Sequence, residues 1–290
     1  MLPAWKNLLL GLYYGGTWPL RCWQRALAGR VGKSAVMVVY YHRVADDAAN
    51  EWTVSNELFA RQVGWLKQNF DLVSLEEAQR RIRRGTNHRP CVSITFDDGY
   101  ADNCSRALPL LIDHKIPCTY FVSNQQVVDG LPFPHDRAAG QRFAPNTLPE
   151  LRRLAEAGIE IGAHTRTHCD LARITDSARL LDEVVVAGEE LQAAIGRPIR
   201  YFAFPYGQHE HLNANVFHLA YESGYEAVCS AYGGFNFPGD DAFHLQRFPA
   251  DYSLLRLKNW TTLDPRKRGI PRFEYEAPLR LRRSQKASQR

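Results

Sequence analysis

Nowhere in the 290 residues is there an apolar run of the roughly twenty residues that a helix needs to cross a bilayer; the longest candidate, Leu8 to Leu20, is broken by three glycines and Pro19. None of the six cysteines stands in CxxC spacing with another, which excludes a zinc ribbon and a dithiol redox motif. Several lie inside apolar stretches, where a free thiol acts as a small buried hydrophobe, and a reducing compartment follows as the expectation. Internal repeats and low-complexity segments are also missing. Acid is absent from residues 1–45, which carry six basic residues, and residues 265–290 set nine basic residues against Glu274 and Glu276. With a net charge of only +5, the stretch between these ends must be negative. The basicity therefore belongs to the termini, and a nucleic-acid partner, which would call for positive charge around the site, is not expected. An anionic lipid surface met through both ends is.

What is present is a globular composition, 45% hydrophobic and 11% aromatic, enough for a full core. We read an N-terminal basic and aromatic extension over 1–35, one domain over 36–264 and a basic tail over 265–290. After Leu20 the chain continues Arg21-Cys22-Trp23-Gln24-Arg25, which is no signal-peptide cleavage site. The expected location is cytoplasmic, peripheral on the inner face of a membrane. The N-terminal stretch has two readings: an interfacial segment whose tryptophans and basic residues sit among headgroups, or a helix packed on the protein's own body.

From Val36 onward, short β-branched or aromatic runs alternate with stretches of three-and-four apolar spacing. The expected strands are 36–41, 92–96, 119–122, 159–163, 201–204, 227–229 and 245–248; the expected helices are 57–69, 75–83, 102–114, 148–157, 177–195 and 213–223. Ser74 to Glu77 and Thr147 to Glu150 read as capping boxes. Such alternation implies a parallel sheet covered by helices, as a barrel or an open doubly wound sheet, with function at the C-terminal ends of the strands. The stretch 129–146, rich in Pro, Gly and His, is expected to border the site.

Three strand ends carry chemistry. The second runs Thr95-Phe96 into Asp97-Asp98-Gly99; adjacent carboxylates on a regular strand face opposite ways, but a turn at Gly99 lets both serve one cavity. A plain Asp-Asp-Gly turn with solvated acids is the other reading. The fourth strand ends in His164-Thr165-Arg166-Thr167-His168, where a helical turn brings both imidazoles to one face, a spacing that suits one metal ion, and where surface coincidence is the alternative. The fifth ends Phe204-Pro205-Tyr206-Gly207, a turn that could aim the Tyr206 N–H into the cavity or simply end the strand around a packed tyrosine. His42, closing the first strand in Tyr40-Tyr41-His42-Arg43, reads as a core or supporting histidine.

The set, in this order, resembles the polysaccharide deacetylases with a NodB-homology domain, carbohydrate esterase family 4, over about residues 36–250, with the core motifs within 90–250. The resemblance implies an α/β fold, a distorted (β/α) barrel, usually seven-stranded, and metal-dependent hydrolysis of an N-acetyl or related acyl group on a sugar. It makes Asp97 the general base, makes Asp98, His164 and His168 ligands of a divalent metal, most fittingly zinc with cobalt or another ion as alternatives, and sets Pro205 and Tyr206 against the substrate. The "FAFPYG" and "YYHRV" forms look more like the branch acting on exopolysaccharide or lipid-linked saccharide than the peptidoglycan branch.

Two positions depart from the family pattern. Where many members carry an arginine two residues before the third-motif proline, this sequence has Ala203, and Arg247 in Leu245-Gln246-Arg247-Phe248-Pro249 is the candidate replacement, with a plain surface arginine as the alternative. The late motif that carries the general acid is not clear either; His244, His209 and His211 are the candidates. Two rivals stand beside the hydrolase: a two-histidine, one-carboxylate iron enzyme, which has no use for Asp97, and a non-catalytic, membrane-associated saccharide-binding protein on the same fold.

Overall fold

The computed structural model describes residues 4–250 and 253–276. Runs such as Val36–Tyr41 and Cys91–Phe96 become strands buried along their whole length, as a parallel sheet with both faces covered requires. The main sheet contains β1 (Val36–Tyr41), β2 (Cys91–Phe96), β3 (Cys118–Val122), β4 (Glu160–Ala163), β5 (Tyr201–Ala203), β6 (Ala227–Cys229), β7 (His244–Leu245) and β8 (Phe248–Pro249). Their order is β7-β6-β5-β4-β3-β2-β1-β8, every pairing is parallel, and a short strand at Asp71–Leu72 also pairs with β2.

The expected strand at 245–248 is two strands. β7 pairs with β6 and β8 with β1, the opposite ends of the order, although only Gln246 and Arg247 separate them. The sheet thus curls until one short segment of chain touches both of its edges. At the break, the Asn236 side chain takes the place of a neighbouring strand: its Oδ1 accepts from Gln246 N (2.9 Å) and its Nδ2 donates to Gln246 O (2.9 Å).

Two expected helices are also interrupted. The stretch 102–114 is a 3₁₀ turn, Ala101–Cys104, followed by a helix, Ala107–Asp113. Buried Asn103 fixes this break by accepting from Val44 N (2.8 Å) and donating to His42 O (2.7 Å), which ties the turn to the loop after β1. The stretch 177–195 runs through, but contains a π-helical turn at Asp182–Val186. Of the two capping boxes, Thr147 and Glu150 form both bonds, whereas Glu77 pairs with Arg80 and Arg81 and leaves only the Ser74 half.

Residues Ala4–Arg30 form one helix that packs against the helix Leu254–Thr261. Arg21 is wholly buried there, donating to Asn259 O (2.7 Å), Asn259 Oδ1 (2.6 Å) and Thr262 Oγ1 (3.1 Å), and Tyr13 donates to Asp264 (2.7 Å). One face of the extension therefore packs on the protein's own body. The first part of the expected basic tail is folded too: Phe273 and Tyr275 stack on Phe217, and Tyr275 donates to Asp241 (2.6 Å). Residues 277–290 lie outside the described residues.

Two glycines test this packing with opposite signs. A Cβ on Gly188 would run into the Tyr225 hydroxyl, which donates to Val184 O in the π-helical turn, whereas Gly64 has nothing within 4 Å in the helix Asn56–Asn69. Chemical denaturation of Gly188→Ala should show a loss of about 1–3 kcal/mol, and Gly64→Ala a gain of about 0.5–1 kcal/mol.

Candidate active site

At the end of β2 the strand alternation breaks. Asp98 takes a positive φ of 73° and Gly99 one of 101°, where a Cβ would also meet Val122 Cγ1 at 3.0 Å, so only glycine fits this turn comfortably. Both carboxylates then enter one interior, Asp97 and Asp98 being 3% and 2% exposed. They are not solvated turn acids, and each has its own partners.

Asp97 is gripped by Arg247, whose Nη1 and Nη2 donate to Oδ1 (2.6 Å) and Oδ2 (2.8 Å). The guanidinium is fully buried, donates also to Thr95 Oγ1 (3.1 Å) and Ser230 O (3.0 Å), and lies over the rings of Tyr40 and Phe121. Burial works against its charge, but Asp97 outweighs that and raises its pKa. Arg247 is no surface arginine. It occupies the two-residue break between β7 and β8, where the chain turns its side chain inward.

Asp98 faces the histidines, with Oδ1 3.0 Å from His168 Nε2 and 3.5 Å from His164 Nε2. One donor atom from each of the three lies within 4.8 Å of the others, and all three residues are buried. Burial works to raise the Asp98 carboxyl, but His168, His164 and His42 prevail and hold it well below the usual carboxylate range. His164 Nδ1 lies 2.8 Å from Ala203 O. Because a carbonyl can only accept, this nitrogen carries a proton, and Nε2 is the nitrogen left to ligate a metal beside Asp98 once it gives up its own proton. Two imidazoles and a carboxylate, with room for further ligands, form a donor set that fits zinc or a similar divalent ion.

The expected helical turn at 164–168 is instead a loop in which Thr165 and His168 have positive φ. The reason lies beneath it. Glu183, exposed by the π-helical turn to this loop but only 3% to solvent, accepts from Thr167 N (2.9 Å) and Thr167 Oγ1 (2.7 Å), and its carbonyl accepts from Arg166 N (3.0 Å). Ser123, at the end of β3, donates to His164 O (2.9 Å), and Thr165 Oγ1 accepts from His168 N (2.9 Å). Sequence reading missed Glu183 and Ser123. The acid pair Asp182-Glu183 running straight into Val184-Val185-Val186 was the available signal for the first, and a hydroxyl at a strand end for the second.

A cleft of about 410 Å³ opens over Asp97, Asp98, His164 and His168, with Trp52, His42, His135, Tyr206 and His211 among its walls. Tyr206 has a positive φ of 61° and lies with its ring 5.2 Å from that of His168; Pro205 is buried beneath this turn. The segment 129–146 borders the site as expected. His135 from it lies with its ring 5.1 Å from that of His168, tilted against it, and bonds to Tyr100 Oη (2.9 Å), which also donates to buried Asp136 (2.6 Å). Of the three expected proton donors, His211 lines the cleft. His244 does not: it is buried against Ser230 (2.9 Å), with its pKa pushed down to about 3 by burial. His209 packs on Tyr232 and Phe273 instead.

A family model described as polysaccharide deacetylase matches residues 84–228, a span that holds all three strand-end motifs and stops short of Arg247. A chitooligosaccharide deacetylase of Bradyrhizobium sp. (strain ANU 289) is 33% identical over 119 residues, 40% of this chain and 46% of that protein. The matched region spans about half the length of such curated relatives. Among solved structures, the Streptococcus pyogenes deacetylase PplD in complex with acetate superposes with a TM-score of 0.65 at 18% identity, covering 79% of this chain and 99% of that one. IcaB from Ammonifex degensii gives 0.63 at 23% identity over 79% and 97%. These structures share the fold, and with a family model spanning half of its length, the chain belongs to the polysaccharide deacetylase family.

Proposed function

We propose that the protein is a metal-dependent hydrolase that removes an N-acetyl or related acyl group from an amino sugar of a polysaccharide or lipid-linked saccharide. One observation carries this reading: a two-histidine, one-carboxylate donor set lies on the same cleft wall as a second carboxylate, Asp97, that is bound to Arg247 rather than to the donors. The relative named a chitooligosaccharide deacetylase supports the substrate class.

Asp98, His164 and His168 would hold a divalent ion, zinc or alternatively cobalt, which would supply Lewis acidity to an acyl carbonyl and make the proton of the attacking water easier to remove near neutral pH. Asp97 takes that proton. Its two oxygens each accept from Arg247 and each keep a further lone pair, so the clamp orients the carboxylate and leaves it an acceptor position for the proton. The Tyr206 N–H is the donor proposed for the oxyanion, in a turn whose positive φ sets its direction. Trp52 and Tyr206 offer aromatic walls to a sugar ring. An iron-oxygenase reading leaves the buried Asp97–Arg247 pair without a task. The location proposed with this activity is the cytoplasmic side of a membrane, which suits the free, exposed thiol of Cys22.

Purified protein incubated with N-acetylglucosamine oligomers and with lipid-linked amino sugars should release acetate and free amine; chelation should abolish release and Zn²⁺ or Co²⁺ restore it. Full turnover by verified metal-free protein would contradict the reading. The Arg247 clamp is tested separately. Without the fork that orients it, the carboxylate is held less well for proton transfer, so kcat should fall by about 10²-fold in Arg247→Ala with metal content unchanged. Arg247→Lys keeps the charge and loses the fork, and should recover only part of that loss. Wild-type kcat in both variants would remove Arg247 from this role.

A further inference from the structure

The helix Ala4–Arg30 is inside out for a surface helix. Toward the protein it turns hydrogen-bonding side chains, with Tyr13, Thr17 and Arg21 joined to one another or to Asn259, Thr262 and Asp264. Away from it stand Trp5, Leu8, Leu12, Leu20, Trp23 and Leu27, which share one side at 100° per residue, and Trp5, Leu8, Leu12 and Trp23 are each at least 60% exposed. From Trp5 to Leu27 this stripe is about 33 Å long, and large apolar side chains exposed together along one face mark an interaction or membrane surface. No helix among the described residues is long and apolar enough to cross a membrane.

Charge says what covers the stripe. Residues 1–45 contain no acid. Between this helix and Leu254–Thr261 lies a groove of about 660 Å³ lined by Lys6, Arg256, Arg266 and Lys267 beside Leu9 and Trp260. Asp264, the acid among the lining residues, is turned inward, accepting from Tyr13, Asn259 and Arg266. Burial, and after it the nearby Arg256, push the Lys267 ammonium down from its ordinary value, as happens where cations crowd together. An apolar stripe with tryptophans, flanked by cations, matches an acyl–headgroup boundary that carries negative charge.

We propose that the outward face of Ala4–Arg30 lies in the plane of an anionic phospholipid bilayer, with a lipid phosphate seated in the basic groove beside it. The inference does not depend on the proposed hydrolysis, because the residues involved are not those of the catalytic cleft. The test is co-sedimentation of the full chain with phosphatidylcholine vesicles, with and without about one-third phosphatidylglycerol. Binding should favour the anionic vesicles and weaken with salt. The triple variant Leu8→Glu, Leu12→Glu, Trp23→Glu, altered only at exposed positions, should keep the wild-type Tm and lose at least about tenfold in partitioning. Lys6→Gln with Lys267→Gln should lose most of the preference for phosphatidylglycerol. Equal partitioning of the triple variant and wild type, or equal binding to both vesicle types, would overturn the proposal. So would a dimer by light scattering that the triple variant dissolves while wild type ignores vesicles, since the stripe would then cover a second copy of the chain.

Discussion

The buried pair of Arg247 and Asp97 is the constraint around which the site is arranged. Two charges withdrawn from water are tolerated only when nearly every donor and acceptor is met, and here the guanidinium reaches both carboxylate oxygens, Thr95 and the Ser230 carbonyl while lying over two aromatic rings. Leaving either partner alone in that interior would cost about 3–5 kcal/mol. The pair also joins distant parts of the chain, since Arg247 stands where the sheet's two edges meet and Asp97 ends a central strand. Closure of the sheet and orientation of the carboxylate are therefore one event.

That arrangement frees Asp98 for a different task. With Asp97 neutralised by Arg247, the adjacent acid can turn away in a left-handed conformation and meet two imidazoles. Ala203 stands where many family members carry an arginine, and its carbonyl fixes the His164 tautomer while the cation comes from the break between β7 and β8, where the two ends of the strand order meet. The loop holding both histidines is in turn shaped by Glu183, which a π-helical turn delivers to it; such turns are frequently found at functional sites.

Much of this was legible in the sequence, for identifiable reasons. Strands buried on both faces read as short apolar runs, so β1 and β6 match their expected limits and the others shift by a residue or so. Asp97, Asp98, His164 and His168, which the structure brings to one cleft, stand out in the sequence because they sit close together at strand ends, and Arg247 stands out because a missing arginine demanded a substitute. What was illegible depends on side chains far apart in sequence. Nothing local shows that Asn236 splits the last strand, that Asn103 breaks a helix, or that Glu183 supports a loop sixteen residues away. The histidine spacing suggested a helical turn because four residues do span one, but a loop with two left-handed residues also brings the rings together. At the N-terminus one face of the helix packs on the body, and periodicity alone could not say which face that is.

The account's central claim is that two adjacent aspartates have separate tasks, Asp98 as a metal ligand and Asp97 as a base held by Arg247. Metal titration of Asp97→Asn and Asp98→Asn, beside their hydrolysis rates, tests it most directly. Asp98→Asn replaces an anionic donor with a neutral one and should weaken metal binding together with activity. Asp97→Asn should bind metal nearly as wild type does and still lose about 10²–10⁴-fold in turnover. Loss of metal by Asp97→Asn with retention by Asp98→Asn would reverse the assignment, and near-wild-type rates in both would contradict it altogether.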